Sequence, residues 1–352
     1  MDLTSTFNRN MTVGVVGSGS FGLALANLLA ENRDVIIYSR RDEVADAINK
    51  DHEIYGKKLN ERVRGTSDIT EVTSECTLIF PVVSSLGFRQ VIRSMAPTLR
   101  PDHIIIHGTK GLDIKFPVQD LTATSTLSRG QISTMSEIVL QESVVKRVGC
   151  MGGPNLASEI MQGLPAATVV ASRFEEVINE GQKALRSRRF QVYGSHDVTG
   201  IEVAGVLKNV IAIASGALGG LGLGDNARAL LISRGMAEMI YIGKTMGADT
   251  RAFIGLAGVG DLIATSASPL SRNYTVGYRL AKGEKLDDII KTMKEAAEGI
   301  NTIKVAKALV NNYKVRAPIT EALYRIMYGD MDIKQALQYL MEYPLNHDVD
   351  YL

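Results

Sequence analysis

Tryptophan is absent from the 352 residues, only two cysteines and five histidines occur, and neither sign of charge dominates. Each shortage removes a class of protein. Cys76 and Cys150, both in apolar surroundings, cannot build a disulfide framework, and they point to a reducing, cytoplasmic compartment. Scattered histidines with no cysteine nearby give no metal-ligand spacing, so no metal is expected. With 39 Lys and Arg against 38 Asp and Glu, the net charge of +1 argues against a dedicated nucleic-acid or acidic-membrane partner. The first ten residues, MDLTSTFNRN, are polar and run straight into a β-rich stretch, so no signal peptide is expected. The most apolar segment, Val203 to Gly224, carries Lys208 and Asn209 and ends in glycines. It reads as a buried core helix rather than a membrane span.

What is present suits an ordinary globular protein, 45% hydrophobic and 22% charged, long enough for two domains. Met11 to Val16 is a short β-rich run. Gly17-Ser18-Gly19-Ser20-Phe21-Gly22 follows at once, and then a helix with Phe21, Leu25, Leu28 and Leu29 on one face. Strand, G-x-G-x-x-G and helix together form the dinucleotide fingerprint in its required setting. Gly17 makes the tight turn, Gly19 lets a pyrophosphate approach the backbone, and Gly22 lets helix and strand pack closely. The second strand, Asp34 to Tyr38, ends in Ser39-Arg40-Arg41, where a carboxylate for the ribose hydroxyl of NAD is expected. Guanidinium groups pair with a 2′-phosphate, so the cofactor is expected to be NADP(H) and/or NAD(H). The alternative is a pair of solvated arginines.

Further strands are expected at Leu78–Val83, His103–His107, Val148 onward, 167–171 and 190–192, in α/β alternation. Lys110 follows the fourth strand at its carboxyl end, the ligand side of an open parallel sheet. A helix is expected to begin near Asn155, after the glycine turn of VGCMGGPN. The fold expected is therefore an N-terminal Rossmann-type, doubly wound, mostly parallel sheet over 1–195. An all-helical C-terminal domain then covers 196–352. The 112–146 stretch is polar and amphipathic, with 131–145 helix-like.

The centre of the second half is Gly205 to Gly216, GVLKNVIAIASG. Lys208 and Asn209 sit side by side in a helix apolar on most faces, and three of the four helical neighbours of Lys208 are small. An amine desolvated there loses pKa and becomes a usable proton acceptor near neutrality. The alternative is a lysine whose ammonium snorkels to water, for which this helix offers no exposed strip. Two loops accompany it. GLAGVGDLIAT brings Asp261, either a partner for Lys208 or a substrate hydroxyl, or simply a helix N-cap. Ser271-Arg272-Asn273 combines a hydroxyl, a guanidinium fork and an amide at a helix start, suited to a phosphate monoester. A capped helix with an exposed arginine is the other possibility.

Across nearly the whole length, the motifs GSGSFG, TKGL, GPNLASE, LKNVIAIASG, NARALLISRGMAEM, GLAGVGDL, SPLSRN, AEGINT and APITEALY resemble bacterial NAD(P)-dependent glycerol-3-phosphate dehydrogenases. The resemblance implies that Lys208 donates and accepts the proton, with Lys110 and Asp261 beside it in the catalytic set. It implies a substrate pocket made of Lys110, Gly153, Asn155, Lys208, Asn209, Asp261, Ser271, Arg272 and Asn273. It also implies cofactor contacts from Gly17, Gly19, Ser20, Phe21, Gly22, Arg40, Arg41, Lys110, Ala157, Arg272 and Glu298. The substrate implied is a small phosphorylated ketone and alcohol, dihydroxyacetone phosphate and sn-glycerol 3-phosphate, serving glycerophospholipid synthesis, and the implied assembly is a homodimer. Two positions depart from the family pattern. Val83-Ser84-Ser85 lacks a proline, and Asn155 stands where threonine is found. The rival readings are a 3-hydroxyacid or 6-phosphogluconate-type dehydrogenase and an NADPH-binding sensor without turnover. In the former family lysine and asparagine lie a helical turn apart, whereas Lys208 and Asn209 are adjacent.

Overall fold

The computed structural model describes residues 11–293 and 295–344. The polar stretch Met1–Asn10 lies outside them. Eight strands form the main sheet: β1 Val13–Val16, β2 Val35–Tyr38, β3 Val63–Thr66, β4 Leu78–Pro81, β5 Ile104–His107, β6 Arg147–Gly152, β7 Ala166–Ser172 and β8 Phe190–Ser195. Their spatial order is β8-β7-β6-β5-β4-β1-β2-β3. Every pairing from β3 across to β6 is parallel, as is that of β7 with β8. The order reverses between β1 and β4, so the turn after β1 lies at the topological switch point, where open sheets of this kind bind ligands.

Apolar runs without alternation become strands here because both faces of the sheet are covered. Val35, Ile37, Leu78, Phe80, Ile104 and Ile106 point into one core, beneath the helices carrying Leu25, Ile48 and Leu185. Their neighbours Ile36, Ile79 and Ile105 point into the other, with Phe88, Ile92, Ile138 and Val139. Strand β3 was not expected. Its sequence, VRGT, has no apolar run, and Gly65 is needed because a Cβ there would lie 2.7 Å from the Ala45 carbonyl oxygen.

The helices that matter below are α1 Ser20–Leu29, α2 Val198–Gly220, α3 Asp225–Thr245, α4 Asp261–Ala267, α5 Arg272–Ala281, α6 Gly299–Tyr313, α7 Pro318–Tyr328 and α8 Ile333–Glu342. Among the described residues α2 alone is long and apolar enough to cross a membrane, yet 94% of its most apolar window is buried in the protein. It is a core helix, as expected. The stretch 255–265, read as a loop, is instead a π-type turn over Leu256–Gly260 that leads directly into α4, which takes in the rest of it. Helix α8, opened by a capping box of Asp332 and Gln335, was also not expected.

The chain forms two compact units, and they interleave along the sequence. The first holds residues through Thr109, Met135–Met151 and Asn155–Val198, and the second holds Lys110–Thr134, Gly152–Pro154 and everything from Thr199. The expected division at 195–196 treats the two as consecutive blocks. The reason for the difference lies in the 112–146 stretch. Leu112–Ile114 and Ile132–Thr134 pair as an antiparallel hairpin. The excursion between them is tied to α6, with Leu127 N donating to Ala308 O at 3.1 Å and Asn311 Nδ2 to the carbonyls of Ala123 and Ser125. Of the helix-like 131–145, Met135–Glu142 forms an α-helix, and Gln131 ends a short 3-10 turn.

Candidate active site

In the first unit the glycine turn after β1 meets the steric demands of the fingerprint. Gly17 has φ of +123°, and a Cβ there would lie 2.9 Å from the Val82 carbonyl oxygen. At Gly22 a Cβ would lie 1.8 Å from Gly17 O, so no other residue lets α1 start where it does. At Gly19 nothing stands within 4 Å, which leaves the backbone open to a pyrophosphate. This cradle fits a dinucleotide. Ser20 opens α1, and the ring of Phe21 packs over Gly108. Of the two arginines after β2, Arg41 is engaged by the Tyr55 hydroxyl and by Glu43. Arg40 is exposed, and no described residue pairs with it. Ala157 begins a five-residue helix. Asn155 has both ends of its amide committed, Nδ2 donating to Ala167 O at 3.0 Å and Oδ1 accepting from Thr168 at 2.9 Å.

In the second unit the structure brings Lys208, Asp261 and Lys110 together. Lys208 Nζ donates to Asp261 Oδ1 at 2.5 Å, and Lys110 Nζ donates to Asp261 Oδ2 at 2.6 Å and to Gly153 O at 3.3 Å. Lys208 and Asp261 are 5% and 2% exposed. Asp261 is not a helix N-cap. It is the first residue of α4, and its two oxygens each hold one ammonium group. The space left by the small neighbours of Lys208 is partly filled by protein, since the Lys110 chain lies 3.7 Å from the Cβ position of Gly205.

Electrostatics follows from the count of charges. One buried carboxylate stands between two amines. Burial pushes the Lys208 pKa down to about 7, helped by the Lys110 charge and opposed by Asp261. Asp261 suffers the same desolvation, but Lys110 first and Lys208 second hold its carboxyl below the usual range. Asp261 therefore stays ionised, and Lys208 exchanges its proton near neutrality.

Sequence reasoning missed Thr265. Its hydroxyl receives a hydrogen bond from Lys208 Nζ at 2.5 Å and stands 3.2 Å from Asp261 Oδ1. The signal was available: Asp261 and Thr265 are four apart, on one face of a helix.

The remaining polar residues form a second group. Asn273 Nδ2 donates to Asn209 Oδ1 at 2.9 Å, and Gly299 N donates to Asn273 Oδ1 at 2.9 Å. Ser271 caps α5, its hydroxyl accepting from Tyr274 N at 3.3 Å. Arg272, about half exposed, pairs with Glu295 at 3.0 Å. Glu298 is the residue before Gly299, the first of α6. The site thus offers a proton-exchanging amine, a fixed carboxylate, a second cation, and amide and guanidinium donors suited to an anion.

Comparison with known proteins agrees with this geometry. A family model described as NAD-dependent glycerol-3-phosphate dehydrogenase N-terminus matches residues 12–178, and its C-terminus counterpart matches 197–338. The chain is 37% identical over 345 residues to a glycerol-3-phosphate dehydrogenase (NAD(P)+) of Ectopseudomonas mendocina, covering 97% of each. It is 38% identical to the enzyme so named in Pseudomonas aeruginosa, again covering 97% of each. A solved structure of glycerol-3-phosphate dehydrogenase from Coxiella burnetii is similar with TM-score 0.83 and 31% identity, over 95% of this chain and 100% of that one.

Proposed function

Because the chain belongs to the NAD-dependent glycerol-3-phosphate dehydrogenase family, we propose that it interconverts dihydroxyacetone phosphate and sn-glycerol 3-phosphate with NAD(P)H. The observation that carries this reading is the buried Lys208–Asp261–Lys110 cluster. When bound, the dihydronicotinamide supplies the hydride that reduces C2. Gly17, Gly19, Ser20, Phe21, Gly22 and Arg40 hold the dinucleotide in this reading, with Ala157, Arg272, Glu298 and Lys110 as further contacts.

The chain's own part is the proton and the position of C2. The Lys208 ammonium gives its proton to the C2 oxygen as the C=O bond becomes C–OH, and the amine left behind is the form that burial favours. In the oxidation direction the neutral amine takes the alcohol proton. Asp261 keeps its charge throughout and fixes Nζ of both lysines. Lys110 places a second positive charge beside the developing alkoxide. Asn209, Asn273, Ser271 and Arg272 bind the phosphate and so hold C2 in place. Gly153 completes the substrate pocket in this reading, whereas the Asn155 amide is committed to Ala167 and Thr168.

The reading extends to a cytoplasmic homodimer that supplies glycerol 3-phosphate for phospholipid synthesis. Cys76 and Cys150 are both buried and neither forms a disulfide, which suits a reducing compartment.

The deciding assay follows NADPH oxidation with dihydroxyacetone phosphate, alongside a panel of 3-hydroxyacid and phosphogluconate substrates. Turnover confined to the phosphorylated ketone is expected. Replacing Lys208 by Ala should lower kcat by about 10²–10⁴-fold while leaving NADPH binding intact. Wild-type turnover in Lys208→Ala removes the amine from the mechanism.

A further inference from the structure

The hydrogen bonds among Gly299, Asn273 and Asn209 have a direction that leaves no freedom. A backbone N–H can only donate, so the atom of Asn273 that meets Gly299 N must be its carbonyl oxygen. The opposite end of that amide is then NH2, so the atom of Asn209 it meets must also be oxygen. The Asn209 NH2 is left facing elsewhere, and no described residue accepts from it. The group is a pure donor in a residue only 5% exposed, one helical position from Lys208. Donors without protein partners at a buried site are what an anion needs and what a neutral acceptor-poor ligand leaves unsatisfied.

We propose that Gly299 is the positioning residue for substrate recognition: its backbone N–H sets the orientation of two buried amides so that Asn209 presents donors to the substrate phosphate. This rests on the proposed dehydrogenase reading and deepens it. Gly299 suits the task in two ways. As the first residue of α6, it carries an N–H with no partner inside the helix, at the positive end of the helix dipole. It also has to be glycine. A Cβ would lie 2.7 Å from Asn273 Oδ1, 2.8 Å from Ile213 Cδ1 and 2.9 Å from the Asn209 carbonyl oxygen, so any side chain displaces Asn273. The amides have no such preference of their own, because either end of an asparagine occupies nearly the same volume.

Two variants of the full-length protein test this, with steady-state kinetics on dihydroxyacetone phosphate and inorganic phosphate as a competitive probe. Gly299→Ala should raise KM and the phosphate inhibition constant by about tenfold or more, with a much smaller fall in kcat. Asn209→Asp keeps the oxygen that Asn273 needs and replaces only the donor end by an anionic oxygen. It should weaken phosphate inhibition at least as strongly. A merely structural role predicts lowered kcat and thermal midpoint in Gly299→Ala with phosphate inhibition unchanged, and that pattern overturns the proposal. If Gly299→Ala does not fold, Asn273→Leu, which removes the amide through which Gly299 acts on Asn209, takes its place, and unchanged phosphate inhibition there overturns the proposal. A wild-type protein inactive on dihydroxyacetone phosphate yet inhibited by phosphate in NADPH binding refutes the dehydrogenase reading instead.

Discussion

At the scale of single residues, the chemistry turns on how many charges share one small volume. Two amines and one carboxylate cannot all be charged cheaply away from water, and Lys208, the more buried amine, is the one that yields its proton. With its pKa at about 7, the ammonium form dominates below that pH and the amine above it. Ketone reduction uses the ammonium, so its kcat should fall as pH rises through about 7. Alcohol oxidation uses the amine, so its kcat should rise over the same range. Parallel pH–rate profiles in the two directions check this, and profiles that move together would exclude Lys208 as the proton carrier. The lysine itself was legible, since an apolar helix with a cation at its centre has few structural explanations. Its partners were only half legible. Asp261 was recognised as a possible partner, but sequence could not choose between that and a helix cap. The choice depends on where α4 lies against α2, which is not a local property.

At the scale of elements, glycine is used where backbones touch. A Cβ on Gly216 of α2 would lie 1.9 Å from the Tyr274 carbonyl oxygen of α5, and one on Gly277 of α5 would lie 1.8 Å from Ile213 O of α2. Neither neighbour is a movable side chain. Gly216→Ala should therefore destabilise by more than about 2 kcal/mol, against the gain of about 1 kcal/mol that alanine brings to a helix interior. Urea unfolding measures the balance, and a raised midpoint would show that the helices can separate freely.

A second device joins α3 to α7. Glu238, 4% exposed, accepts from Ile319 N at 2.5 Å, Thr320 N at 3.0 Å and the Thr320 hydroxyl at 2.9 Å, capping α7 behind Pro318. Burial outweighs those donors and pushes its carboxyl up to about 7. A raised folded-state pKa means that the folded protein holds the proton more tightly, so this contribution is complete below about pH 4.5 and is lost as pH climbs to about 7. The loss is roughly 3 kcal/mol. Glu238→Gln should remove that component of the pH dependence, read from unfolding free energies at several pH values. An unchanged slope would place the titration elsewhere. Helix α7 lies within the half expected to be helical, whereas its cap comes from residue 238, about eighty positions upstream, and no local pattern announces it.

At the scale of the whole molecule, the arginines after β2 carry the remaining prediction. Arg41 is held by Tyr55 and Glu43, which leaves Arg40 to meet a 2′-phosphate. Arg40→Asp should lower kcat/KM for NADPH by about tenfold or more with little loss for NADH. A strong NADH preference in the wild type would contradict the assignment. The sequence by itself determined the parallel sheet, the dinucleotide turn, the helical second half and the identity of Lys208. These are set by local rules: apolar runs of strand length, glycines where φ or contact forbids a Cβ, and helical spacing. Only the tertiary structure decided the rest. It placed Lys110–Thr134 in the second unit, put both oxygens of Asp261 between two amines, and linked Gly299, Asn273 and Asn209 by hydrogen bonds. The physical reason is the same in each case. Desolvation and hydrogen-bond direction depend on which groups share a buried volume, and that is fixed when distant segments pack.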